Sequence, residues 1–167
     1  MRRQINSEEL NTLFVLIGAG IWHLQNLEDA LHTCITIKRD IQYRGSKSPE
    51  QAESILSKHR KNTLGTSLQI SRKAKVLSTF LQDRLEKFKK ERDWLVHDVV
   101  YQYREDLYLD EKRFALMNRI QTFSDEAGIL QKLVAKEMED FVVTQGVSRE
   151  WINNYAQQTI SNLKGER

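Results

Sequence analysis

One cysteine in a chain of 167 residues leaves no partner for an internal disulfide, which excludes the stapled scaffolds of small secreted proteins. That cysteine, Cys34, sits among Leu31, Ile35 and Ile37, a setting that predicts a small buried hydrophobe in a reducing compartment. Proline is equally scarce, with Pro49 alone, and there are only seven glycines, so little in the chain interrupts a helix. The alternating Val/Ile/Thr runs of half-buried strands are missing as well. No apolar stretch reaches the roughly 20 residues of a membrane span. The apolar run 13–22 follows Met1-Arg2-Arg3 but also Glu8 and Glu9, and no small-x-small cleavage site comes after it. A cytoplasmic protein without a membrane partner is therefore expected.

What is present suits one helical domain. Hydrophobic residues make up 40% and charged residues 29%, enough of each for a soluble chain with a real core. Ser7 with Glu8 and Glu9 predicts a helix start. Leu10, Leu13, Phe14, Ile17, Ile21, Leu24, Leu31, Cys34 and Ile35 then recur at three- and four-residue steps, predicting one long helix from about Glu8 to about Tyr43. Gly18 and Gly20 inside it point to close approach by another helix. Ser48-Pro49-Glu50-Gln51 combines an N-cap, a first-turn proline and a capping box, and opens a second helix that ends near Lys61. Asn62-Thr63-Leu64-Gly65 is a break, followed by a short basic helix with Leu68 and Ile70. From Val76 a stronger helix carries Leu77, Phe80, Leu81, Leu85, Phe88, Leu95, Val99 and Tyr103 as its stripe. After a turn at Asp106–Asp110, another runs to Gln145 with Phe114, Met117, Ile120, Phe123, Ala127, Leu130, Val134, Met138, Phe141 and Val142 inward, and Gly146 as its C-terminal cap. Ser148 caps a last helix with Trp151, Ile152, Tyr155, Ile160 and Leu163. The fold class expected is all-α: a single bundle of four main helices plus short ones, over residues 1–167.

Charge is unevenly spread. Between Lys38 and Arg92 there are 15 Lys/Arg against 6 Asp/Glu, whereas the rest of the chain is acidic and the whole nets only +3. A basic segment leading to Arg92 fits a phosphate backbone, hence an RNA partner; solvated helix faces built from Lys87, Lys89 and Lys90 are the plainer reading.

One hexapeptide, Arg92-Asp93-Trp94-Leu95-Val96-His97, concentrates the chemistry. His97 can move a proton near neutral pH, and Arg92 can hold the charge of a phosphate in transition. Arg92 falls on the apolar stripe, four residues after Phe88 and three before Leu95, where a guanidinium is costly unless paired. Asp93 and His97, four apart, share a helix face on which the carboxylate could orient the imidazole. His23 and His32 lie nine apart on the first helix, a spacing that makes no two-ligand metal site, and His59 beside Arg60 and Lys61 is expected in solvent. No Cys/His cluster or Gly-rich phosphate loop is present.

The hexapeptide resembles the signature of the HEPN superfamily, an arginine, a polar residue, three further positions and a histidine. Asn62-Thr63-Leu64-Gly65 ahead of a basic helix, and the long first and penultimate helices, are similar to its layout. The resemblance implies a helical bundle that dimerises through the motif helices and cleaves RNA without metal or cofactor, as a toxin or in phage defence. It assigns Arg92, His97 and Asp93 as catalytic. It also implies a neutralising partner such as a minimal nucleotidyltransferase. In some members that partner modifies a tyrosine two residues after the histidine, but Val99 stands there, with Tyr101 and Tyr103 nearest.

Helix geometry gives a separate reason to expect a homodimer. In an α-helix, positions five apart lie about 140° around the axis, so one helix cannot aim Arg92 and His97 at the same phosphate. Two copies across a two-fold axis could build a composite cleft. Pairing would also cover Phe14, Val15, Leu16 and Trp22, which a single bundle core cannot all receive, and about 800 Å² per partner would suffice. The alternative function is a non-catalytic helical module of the same kind that binds RNA or a protein.

Overall fold

The computed structural model describes residues 2–165. Among them all regular structure is helical, apart from one isolated bridge pairing Arg2 with Leu109. The elements are α1 (Ser7–Ile35), which continues as a π turn (Thr36–Ile41), α2 (Pro49–His59), α3 (Leu64–Ala74) and α4 (Thr79–Asp93). A second π turn (Trp94–Asp98) leads into the short α5 (Val99–Tyr103), and a 3-10 turn (Asp106–Tyr108) precedes α6 (Asp110–Thr144) and α7 (Arg149–Leu163).

Local signals set most of these boundaries. Ser48 and Gln51 form the capping box of α2 with Pro49 in its first turn, Thr63 caps α3, and Ser148 caps α7. Gly146 takes φ +88° just past α6, a conformation a side chain would strain. Three expectations need correction. The N-cap of α1 is Asn6, not Ser7: its side chain accepts from the Glu9 amide while Glu9 accepts from the Asn6 amide. The first helix does not stay α to Tyr43, because its last turn widens and Gln42 turns to φ 64°. The fourth begins at Thr79, three residues later than Val76, because Ser78 supplies the cap.

Helices α1 and α6 run side by side in the same direction. Glu9 meets Arg113 at one end, Gly20 meets Phe123 further along, and Lys38 meets Glu137 at the other. Helix α4 runs opposite to both, with Arg84 on Glu126 and Glu91 on Arg119. Helix α3 lies antiparallel on α4, where Ser71 donates to Gln82 and the Gln82 amide donates to the Leu68 carbonyl. The buried apolar residues of α1, α3, α4, the motif turn and α6 make one cluster centred on Leu27, Leu31, Leu85, Ile120 and Leu130. Phe88 and Phe123 stack within it at 4.7 Å. Gly20 marks the close approach of α1 to the motif turn and α6, since a Cβ there would stand 3.3 Å from Leu95 and 3.4 Å from Phe123. Gly18 faces open space instead, so only one of the two glycines serves contact.

Two inward assignments fail. Phe114 is 67% exposed and Phe80 70% exposed, because each lies off the buried face, which Arg113, Leu116 and Ile120 mark in α6 and Leu77, Leu81 and Leu85 mark along α4. His59, expected in solvent, is buried and its Nε2 lies 2.8 Å from Asp40, tying α2 to the π turn after α1. His32 is also buried, 2.9 Å from the Ser67 hydroxyl, and burial pushes its pKa down. Cys34 is fully buried as expected, and burial raises its thiol to about 11.

At the N-terminal end, Glu9 is gripped by Arg3, by the Asn6 amide and by the buried Arg113, which hold its carboxyl down to about 2 from 4.5. A depressed acid stabilises the fold above its unfolded value, and that contribution fades as pH falls from about 4.5 towards 2. Glu9→Gln should therefore lower Tm at neutral pH, with the difference from wild type closing in that acid window. A pH series of thermal melts reads it, and a constant difference down to pH 2 would refute the assignment.

Candidate functional site

Helix α4 brings the hexapeptide to the middle of α1, where the chain must satisfy Trp94, Leu95 and Val99 at once. All three are buried, Leu95 against Gly20 and Trp94 beneath Arg119, whose guanidinium carbon stands 3.6 Å from the indole centre. Tyr103 meets the same indole edge-on at 5.8 Å and accepts a hydrogen bond from Arg119. The backbone accommodates this by widening: the Val99 amide bonds to the Trp94 carbonyl, five residues back instead of four. Single π turns of this kind recur at functional sites.

The widening alters the relation between the two residues of interest. With hydrogen bonds running to the fifth residue, His97 is carried back around the axis towards the side of Arg92. The about 140° separation of a regular helix no longer applies, and with it goes the geometric argument that one chain cannot present both groups.

Arg92 is half-buried, its side chain 21% exposed. One terminal nitrogen donates to Asp93 Oδ1 at 3.0 Å, but Nε is buried with no hydrogen-bond partner. Trp94 Nε1 is likewise buried and unpaired. These are the two such side-chain atoms among the described residues, and both belong to the hexapeptide. A buried donor left unmade costs about 1–3 kcal/mol, so their coincidence in one segment calls for an explanation.

Asp93 does not orient His97. Its carboxylate takes Lys89 Nζ at 3.0 Å and Arg92, both within a turn of it. Burial pushes its pKa up, but these two cations outweigh that and hold it below the usual carboxylate range. His97 is exposed and makes no side-chain hydrogen bond or ion pair among the described residues. The structure thus joins Arg92 to Asp93 and leaves His97 at the surface without a side-chain partner.

One neighbour escapes the sequence reading, and a second is read there only as part of a solvated lysine face. Glu28 of α1 is half-buried, and burial raises its carboxyl against the opposing pull of Arg92. A perturbed acid next to a candidate arginine is a site signature. Its position gave a faint signal, four after Leu24 and three before Leu31, on the shoulder of the apolar stripe. Lys89 is the second: its Cε would stand 2.8 Å from a Cβ at Gly65, so the glycine lets the lysine stem lie over the first turn of α3. The Thr63-Leu64-Gly65 turn is thereby drawn to the motif helix.

The outer side of α1 leaves apolar side chains in water: Phe14, Val15 and Trp22 are exposed, and Leu16 is half-buried. Val96, Val100 and Tyr101 are exposed on the motif segment. No helix among the described residues is long and apolar enough to cross a membrane. Comparison of the chain with protein families, curated proteins and solved structures finds no match.

Proposed function

We propose that this chain is a metal-independent endoribonuclease of the HEPN type, acting as a toxin or in phage defence. The supporting observation is the buried, unpartnered Nε of Arg92 on a π turn that also presents His97 to solvent. His97 takes the proton of an RNA 2′-hydroxyl as that oxygen attacks the adjacent phosphorus. The bond to the 5′-oxygen breaks, and the products carry a 2′,3′-cyclic phosphate and a 5′-hydroxyl. Arg92 stabilises the charge on the phosphorane oxygens, and Asp93 fixes the guanidinium rather than the imidazole. Glu28, its carboxyl raised by burial, is placed near Arg92 to supply a second proton-transfer group. The nucleophile comes from the substrate, so no cofactor is needed.

The basic segment between Lys38 and Arg92 supplies phosphate contacts, and a homodimer through the motif helices would bury Phe14, Val15 and Trp22. A neutralising nucleotidyltransferase would find Tyr101, 88% exposed, more accessible than Tyr103, which Arg119 engages. Incubating the protein with single-stranded RNA in excess EDTA tests the reading. Cleavage is expected for wild type and a loss of at least about 100-fold for His97→Ala. Cleavage that requires added metal, or that survives the substitution unchanged, would overturn it.

A second reading has its own observation. Because Asp93 serves Lys89 and Arg92, His97 lacks the carboxylate that orients a catalytic imidazole. A non-catalytic module binding RNA or a protein fits that. Expression separates the two: a nuclease arrests its host and Arg92→Ala relieves the arrest, whereas a binding module does neither.

A further inference from the structure

Helix α7 stands apart from the rest of the molecule. None of its residues is buried, and it is fastened at its first turn, where Arg149 pairs with Glu139 and Asp140 of α6. Yet it is amphipathic. Trp151 and Tyr155 stack at 5.3 Å, and Ile152, Thr159 and Leu163 continue the same face with Asn162 among them, while Asn153, Asn154, Gln157 and Ser161 lie on the other. Trp151 is 58% exposed, Tyr155 61% and Leu163 84%. A helix of 15 residues with three Asn, one Thr and one Ser is marginal in water by itself. Something must cover the stripe for α7 to hold its shape.

We propose that the occupant is the α7 of a second copy, packed antiparallel across a two-fold axis. Charge is the first argument. Arg149 and Glu150 are the only charged residues of α7, so two copies meet without repulsion. A membrane surface would call for Lys and Arg along the polar face, and a charged protein partner for an opposite charge; the polar face has neither. Area is the second. Beside the root of α7, Tyr43 is 62% exposed over a largely apolar cleft of about 170 Å³ formed by Ile41, Phe141, Val142 and Val147. An aromatic side chain buries about 150–250 Å², so the uncovered parts of Trp151, Tyr155 and Tyr43 alone leave roughly 350 Å² in water. That is nearly half of the about 800 Å² per partner that stable pairing uses, and Ile152, Thr159, Leu163 and the polar rim supply the remainder. This contact is separate from any pairing of the motif helices and stands or falls without it.

Position 156 is the midpoint of α7, close to the axis of an antiparallel pair, and Ala156 is exposed in the lone chain. At interaxial distances of about 8–10 Å, Cα atoms facing each other near the axis fall within disulfide reach. Native Cys34 is buried and does not compete. Under mild oxidation at micromolar concentration, full-length Ala156→Cys should form a disulfide-linked species of twice the 19.6 kDa chain, at least tenfold faster than Gln157→Cys on the polar face. Adding Trp151→Glu to Ala156→Cys should abolish that advantage. Equal rates at 156 and 157, or a thiol at 156 that stays free, would overturn the pairing. So would binding of wild type to vesicles of phosphatidylcholine and phosphatidylserine through α7.

Discussion

Arg92→Ala should reduce RNA cleavage about 10²–10³-fold with little change in Tm, and Arg92→Lys should recover only a small part of the loss. The guanidinium is asked to stabilise charge that develops in the transition state, so its removal falls mainly on kcat. A lysine would restore the charge but not the planar fork that Asp93 holds by one terminal nitrogen at 3.0 Å while Nε stays unpaired. Stability should not suffer, because losing the arginine also removes a buried donor that has no partner. Single-turnover cleavage beside thermal melts gives both readings. A drop of many degrees in Tm together with the lost activity would mean that Arg92 serves the fold.

Deleting Val96 tests what the wide turn does for the site. A π turn accommodates one residue beyond the α count, so removing one from within it lets the ladder close at four while the flanking helices keep their register. Val96 is exposed and its loss costs little packing. The deletion should leave a folded helical protein with Trp94, Leu95 and Val99 still inside, and cleavage should persist, because His97 then stands four residues after Arg92, about 40° around a regular helix and on the same side. Circular dichroism and the cleavage assay decide it. Lost activity in a folded protein would show that the wide turn itself, and not a shared side for Arg92 and His97, makes the site.

The sequence made most helix ends legible because each is written in local chemistry: Ser48 with Gln51, Ser148, and Gly146 at positive φ act within a turn of where they stand. The core was legible in the same way, through the three- and four-residue steps of Leu24, Leu27 and Leu31 or Leu81, Leu85 and Phe88. The π turns were not. Leu95, Val99 and Tyr103 are spaced by fours, as are Leu27, Leu31 and Ile35 ahead of the other π turn. Leu130, Val134 and Met138 have that spacing too and remain α-helical, so it cannot distinguish them. What widens the helix at 94–98 is tertiary: Arg119 over the indole, Gly20 against Leu95.

At the site, the hexapeptide drew attention through residue type alone, and its partners had to be seen in space. Asp93 has Lys89 within reach one turn earlier, a stronger claim on its carboxylate than the exposed His97. His59 was misplaced for a related reason, since Arg60 and Lys61 beside it suggested solvent while Asp40, 19 residues away, holds it inside. The faces of α1 and α7 left in water follow from counting apolar residues against one core, and both were within reach of the sequence.

The central claim is that the nucleophile belongs to the substrate and the proton transfer to His97. One measurement addresses it directly: cleavage, in excess EDTA, of an RNA strand and of the same strand 2′-O-methylated throughout. The RNA should be cut to fragments ending in 2′,3′-cyclic phosphate while the methylated strand remains intact. Equal cutting of both strands, or of neither, would contradict it.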